Sequence, residues 1–108
     1  MTEENSKKLL ALLGLARRAG KLALGFSAVE QLVRKPGRTM VIAASDMGAA
    51  QKSKVNRFEN LAGLVDDALT GDQMAAAFGR NKLAIAGVDD PGFVKGIKKL
   101  LDAPPGGA

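Results

Sequence analysis

The stretch TMVIAA (residues 39–44) carries the strongest secondary-structure signal in the sequence. It is apolar, continuous and rich in β-branched side chains, which is typical of a strand covered on both faces. A second stretch of this kind, KLAIAGV (82–88), lies near the other end of the chain. Together they predict two strands of a central sheet, and the segments around them determine the rest of the architecture.

Helix and strand patterns alternate before TMVIAA. The segment LLALLGLA (9–16) has helical apolar spacing, with Ser6 as the expected N-cap and Gly20 as the residue after the helix end. KLAL (21–24) predicts a short strand. SAVE (27–30) has the form of a capping box and predicts the start of a second helix. The helix is expected to end at KPG (35–37), because proline and glycine interrupt helices.

After TMVIAA, Ser45 and Asp46 are the expected caps of a third helix over residues 47–62. GLVDDAL (63–69) is ambiguous, because Leu64 and Val65 suit either a short edge strand or a continuing helix. TGDQ (70–73) is a second capping box and predicts a short fourth helix that ends at Gly79.

DDPGF (89–93) supplies an N-cap at Asp90 and a proline in the first helical position, so it predicts a fifth helix through Leu101. The element order αβαβα(β)αβα indicates an α/β protein: a three-layer α/β/α sandwich with a central mixed sheet of about four strands and about five helices. We predict a single domain over residues 6–102, a flexible N-terminus over 1–5 and a disordered tail over 103–108.

The composition narrows the classes of function. The 108 residues carry a net charge of +5, with no cysteine and no histidine. The usual general base, thiolate nucleophile and transition-metal ligands are therefore missing, and we expect neither an enzyme, nor a metal site, nor a cofactor. No uncharged run of membrane-spanning length and no secretory signal is present. The absence of cysteine suits a reducing compartment, and we therefore expect a cytoplasmic protein. A basic pI of about 9.8 favours a nucleic-acid partner.

Lysines and arginines occur in groups along the chain. Most groups suit the solvated outer face of a helix. Two differ, because each adjoins a glycine at a helix terminus, at Gly25 and at Gly79, where backbone N–H groups can receive phosphate. Phe26 beside the first of these glycines is interpreted either as an apolar staple at the helix start or as a contact for a nucleobase.

The segments LLGLARRAGKLALG, VIAASD and MAAAFGR followed by KLAIAGV resemble the kink-turn-binding ribosomal proteins typified by an archaeal large-subunit protein, including the bacterial YlxQ-like form. The resemblance covers roughly residues 7–101. It implies an α/β/α sandwich that binds structured RNA, with an RNA-facing surface built from the first strand–second helix junction and the loop after the fourth helix.

Carried onto this sequence, the resemblance implies twelve RNA-binding candidates: Arg17, Arg18, Lys21, Gly25, Phe26, Ser27, Gln31, Arg34, Gly79, Arg80, Asn81 and Lys82. The cations near the end of the first helix are expected to border the RNA surface through phosphate contacts, although cations there also complement the helix dipole. Ala28 stands where the family has a carboxylate or amide that reads base edges, and Gln31 stands where it has a lysine. The implied recognition is therefore by shape and phosphate, with weak base reading.

The sequence thus predicts a monomeric RNA-binding protein that recognises kink-turn-like or ribosomal RNA, with possible protein partners in translation or transcription. The alternative is a protein-interaction module on the same fold with a degraded RNA surface, which Ala28 and Gln31 favour. Whether the chain is complete or one half of a longer two-domain protein stays open.

Overall fold

The two apolar stretches form the centre of a four-stranded sheet in the computed structural model, which describes residues 2–102. The helices and strands follow in the predicted order: α1 Glu3–Arg18, β1 Leu22–Leu24, α2 Phe26–Val33, β2 Met40–Ala43, α3 Ala49–Asn56, β3 Gly63–Val65, α4 Gly71–Ala77, β4 Ile85–Val88 and α5 Pro91–Asp102. The tail predicted to be disordered, residues 103–108, lies outside the described residues.

The strand order in the sheet is β1-β4-β2-β3, and β4 is antiparallel to both of its neighbours. β2 and β3 are parallel, so the carboxyl ends of β1, β2 and β3 all lie at the same end of the sheet, where β4 begins. This mixed topology confirms the predicted α/β class. The ambiguous segment after α3 is the short edge strand β3, with Leu64 exposed and Val65 buried.

Every residue of β2 and β4 is buried, as expected for strands with a helical layer on each face. α2 covers one face, where Val29 and Leu32 lie so near Gly87 that a Cβ at this glycine would be 3.3 Å from Val29. α1 and α5 pack against each other in the other layer. Leu9, Leu13 and Ala16 of α1 are fully buried, which confirms the apolar stripe predicted for the first helix.

Three helix starts differ from the prediction. α1 begins at Glu3 with Thr2 as its N-cap, so residues 3–5 are helical rather than part of a flexible terminus. Two acidic residues in the first turn complement the helix dipole there. Ser6, the expected cap, is buried inside the helix, and its hydroxyl donates to the Ala68 carbonyl at 2.8 Å.

α2 begins one residue before the predicted capping box, with Gly25 as its N-cap and no side-chain cap bond. α3 begins at Ala49 with Gly48 as its N-cap and is only eight residues long. Asp46 does not cap α3, because its Oδ1 accepts the backbone N–H of Gly71 at the start of α4, at 2.9 Å.

Other local predictions are confirmed. Thr70 and Gln73 form the reciprocal capping box of α4, and Asp90 Oδ2 accepts the amides of Gly92 and Phe93 at the start of α5. Gly20, at φ +73°, follows the end of α1, where the Lys21 amide donates back to the Ala16 carbonyl at 2.8 Å. Within residues 2–102, no helix is long and apolar enough to cross a membrane.

Candidate nucleic-acid interface

A cleft of about 360 Å³ lies beyond the carboxyl ends of β1 and β2. α2, α3 and α4 each follow a strand that ends at this edge of the sheet, so all three helices begin there. We call it the helix-start cleft. Its walls are formed by Gly25, Phe26, Ala44, Asp46, Met47, Gly48, Gln51, Gly71, Asp72, Ala75, Asn81, Lys82, Leu83, Ala84 and Ile85.

Two of the three helix starts leave backbone N–H groups available. Gly25 and Gly48 precede α2 and α3, and neither helix has a side-chain cap bond. The start of α4 is different, because Thr70 caps it and Asp46 accepts the Gly71 amide. The positive ends of the α2 and α3 dipoles therefore remain open toward the cleft, whereas that of α4 is already compensated.

Gly25 is the residue that permits this arrangement. Its φ of +90° and ψ of 162° are adopted almost only by glycine. Its amide donates to the Ile85 carbonyl at 3.0 Å, which joins the β1–α2 junction to the first residue of β4. The chain therefore leaves the sheet and enters α2 without a side chain between the helix start and the cleft.

The charge in the cleft is divided between two sides. Lys82 lines the cleft, and the Lys54 ammonium lies 5.5 Å from the centre of the half-buried Phe26 ring, which also lines it. Asp46 and Asp72 lie on the α4 side. An anion is therefore attracted to the α2 start, where Lys54 lies over Phe26, and repelled by the two carboxylates at the α4 start.

The structure brings four of the twelve sequence candidates into this cleft: Gly25, Phe26, Asn81 and Lys82. The two segments that contain them are far apart in the chain, and the prediction that they share a surface is consistent with their placement. Ser27 is exposed in the first turn of α2, next to the cleft, and Gln31 is exposed on the same helix.

Arg17, Gly79 and Arg80 lie at a second place, the corner where α1 and α4 end. Arg17 Nη1 donates to the Phe78 carbonyl at 2.7 Å, and its guanidinium carbon is 5.8 Å from the Phe78 ring centre. Gly79, at φ +65°, lets the chain turn so that the Arg80 amide donates to the Ala75 carbonyl at 2.9 Å. Arg17 thus holds the loop that leads to Lys82.

Three further candidates also lie away from the helix-start cleft. Leu22 pairs with Val88, the last residue of β4, so the chain before Leu22 lies toward the end of the sheet opposite the helix-start cleft. Lys21 and Arg18, the last residue of α1, belong to that part of the chain. Arg34 follows α2 at its far end and borders another depression together with Arg57. Arg18 and Lys21 therefore lie apart from the helix-start cleft, and their expected phosphate contacts at the border of an RNA surface stay a prediction.

Sequence reasoning missed the α3 side of the cleft. Lys54 and Gln51 are three residues apart and so share one face of α3, but the lysine and arginine group of this segment suits a solvated helix face equally well. Asp46 was expected to act locally as a cap. The described residues contain no group of three histidine, cysteine or acidic side chains that could hold a metal ion.

Comparison with known proteins finds no matching family model and no matching curated protein. Among solved structures, one described as "the structure of a protein with unknown function from Bacillus halodurans C" is similar to this chain, with a TM-score of 0.73. The two sequences are 32% identical, and the match covers 88% of this chain and 97% of the other.

Proposed function

The chain belongs to the same family as the Bacillus halodurans protein, and we propose that it binds structured RNA in the helix-start cleft, chiefly through shape and phosphate contacts. One observation carries the proposal: two uncapped helix starts and Lys82 line one cleft, and Lys54 lies over Phe26, which forms part of its wall. Backbone N–H groups at a helix start and nearby ammonium groups are the donors that receive phosphate oxygens.

The geometry favours a bent RNA over a straight duplex. The uncapped starts of α2 and α3 and Lys82 line a concave cleft rather than a flat or convex face. A straight A-form helix presents its phosphates on a convex surface, whereas a bulge or sharp bend can place a phosphate and an unpaired nucleotide in a concavity.

Base reading is expected to contribute little. Lys54 lies over one face of the half-buried Phe26 ring, so that face is closed to a stacked base. Ala28 stands where the kink-turn-binding proteins have a carboxylate or amide that reads base edges, and Gln31 stands where they have a lysine. Neither residue offers a charged contact. By the same resemblance, the RNA partner is ribosomal or kink-turn-like, and the work of the protein belongs to translation in the cytoplasm, without catalysis.

The test is a fluorescence-anisotropy titration with a kink-turn RNA and a straight duplex of equal length, at two salt concentrations. We expect tighter binding of the kinked RNA. The variant Lys54→Glu/Lys82→Glu should abolish most of this binding and reduce the slope of log affinity against log salt concentration by about 2, since two cations are lost.

The matched control is Lys98→Glu/Lys99→Glu, which makes the same charge change on an exposed part of α5. It should leave the preference for kinked RNA intact. Equal loss in both variants would reduce the interaction to general attraction between a basic protein and an anion. Absence of binding to either RNA would remove the proposed function.

A further inference from the structure

A second cleft of about 350 Å³ lies at the opposite end of the sheet, where β4 ends and α5 begins. We call it the α5 cleft. It is lined by Gly37, Arg38, Ala62, Asp89, Pro91, Val94, Lys95 and Lys98. β4 runs antiparallel to its neighbours, and α5 therefore starts at the other edge of the sheet from α2, α3 and α4.

The α5 cleft has an excess of unpaired positive charge. Lys95 and Lys98 are three residues apart on one face of α5, and Arg38 lies opposite them just before β2. All three are exposed, and within the described part of the chain none forms an ion pair. Asp89 is the single carboxylate among the lining residues.

The floor of the α5 cleft is apolar and contains no aromatic side chain. Ala62, Pro91 and Val94 supply it. The backbone donors of the α5 start are already engaged, since Asp90 accepts the amides of Gly92 and Phe93 at 3.1 and 3.3 Å. A nucleic acid would therefore find neither helix amides for its phosphates nor a ring for its bases, in contrast to the helix-start cleft.

We propose that the α5 cleft binds an acidic segment of a partner protein. An aliphatic side chain of that segment lies on the apolar floor, and carboxylates on either side of it contact Arg38, Lys95 and Lys98. Charge complementarity selects the acidic partner, and the floor selects a segment with an apolar residue among its carboxylates. This inference does not depend on RNA binding, because the two clefts share no lining residue.

The test uses a short fluorescein-labelled peptide in which a pair of leucines is flanked on both sides by glutamates. We expect the intact protein to bind it, and Lys98→Glu to weaken the binding roughly tenfold by replacing an attraction with a repulsion. Lys99→Glu is the matched control, because it changes the same charge on the neighbouring residue, which does not line the cleft. It should weaken binding less than about twofold.

A second peptide, with serines in place of the leucines, tests the apolar floor, and it should bind at least about fivefold more weakly. Backbone amide shifts in NMR spectra locate the site: Ala62 and Val94 should respond to the leucine peptide, while Gly25 and Asn81 should not. Equal effects of Lys98→Glu and Lys99→Glu, equal binding of both peptides, or no binding would overturn the proposal. Shifts at Ala62 and Val94 caused by RNA, or by raising the protein concentration alone, would overturn it in favour of RNA or of a second copy of the chain.

Discussion

At the scale of single residues, Arg17 and Arg18 show how little an adjacent pair of cations says about the role of each. Both occupy the last turn of α1 and both complement its dipole. Arg17 alone reaches across to α4, where its guanidinium donates to the Phe78 carbonyl and lies over the Phe78 ring. Within residues 2–102, Arg18 has no such contact.

We therefore expect Arg17→Met to lower the free energy of unfolding by about 1–2 kcal/mol, because a charge-assisted hydrogen bond to a helix-end carbonyl is lost. Arg18→Met removes the same charge from the same turn and should change it by less than about 0.5 kcal/mol. Urea denaturation of the two variants measures the difference. Equal losses would mean that Arg17 acts only through the dipole.

At the scale of elements, the start of α2 depends on a backbone conformation. Gly25→Ala should lower the free energy of unfolding by about 1–3 kcal/mol, because alanine is strained at a φ of +90° and ψ of 162°. An added Cβ would meet nothing within 4 Å, so the loss is conformational rather than steric. Urea denaturation of the wild-type protein and of the Gly25→Ala and Gly14→Ala variants measures the change.

Gly14→Ala is the control for that prediction. Gly14 lies inside α1 with helical geometry, and a Cβ added there would enter open space, so alanine should stabilise the protein by about 1 kcal/mol. Opposite signs in the two variants are expected. A neutral Gly25→Ala variant would show that the α2 start tolerates a different backbone path.

The elements also show what could be predicted from the sequence. The two central strands were predictable because VIAA and LAIAGV are apolar without interruption, although β4 begins only at Ile85 rather than at Lys82. α4 and α5 were predictable because their caps bond locally. The starts of α1 and α3 were not, because the polar side chains expected to cap them bond to distant backbone instead. Ser6 donates to Ala68, and Asp46 accepts from Gly71.

In the candidate site, too, the features set by local sequence were predictable and those set by contacts between distant elements were not. The glycine-flanked segments around Gly25 and Asn81 were expected to share one surface because of the resemblance to the kink-turn-binding proteins, and both line the helix-start cleft. The contribution of Lys54 was not predictable, since its role depends on where α3 lies relative to Phe26. Lys21 and Gly25 are separated because β1 lies between them. The antiparallel pairing of β1 with β4, which places Gly25 beside Ile85, is not specified by local sequence patterns.

At the scale of the whole molecule, the antiparallel β4 places the two clefts at opposite ends of the sheet. The residues of β4 alone separate these ends by about 13 Å at the usual rise per residue. That distance exceeds the Debye length of about 8 Å at physiological ionic strength, so charges bound at one end are largely screened from the other. The two proposed ligands are both anions, yet the geometry lets them bind together.

We therefore expect the affinity for kinked RNA at physiological salt to change by less than about twofold when the leucine–glutamate peptide saturates the α5 cleft. At low salt the Debye length approaches 30 Å at about 0.01 M, and the two anions should then weaken each other's binding. Anisotropy titrations of labelled RNA, with and without peptide at both salt concentrations, measure this coupling. Mutual exclusion at physiological salt would contradict separate sites, because only ligands that share the helix-start cleft would compete once their charges are screened.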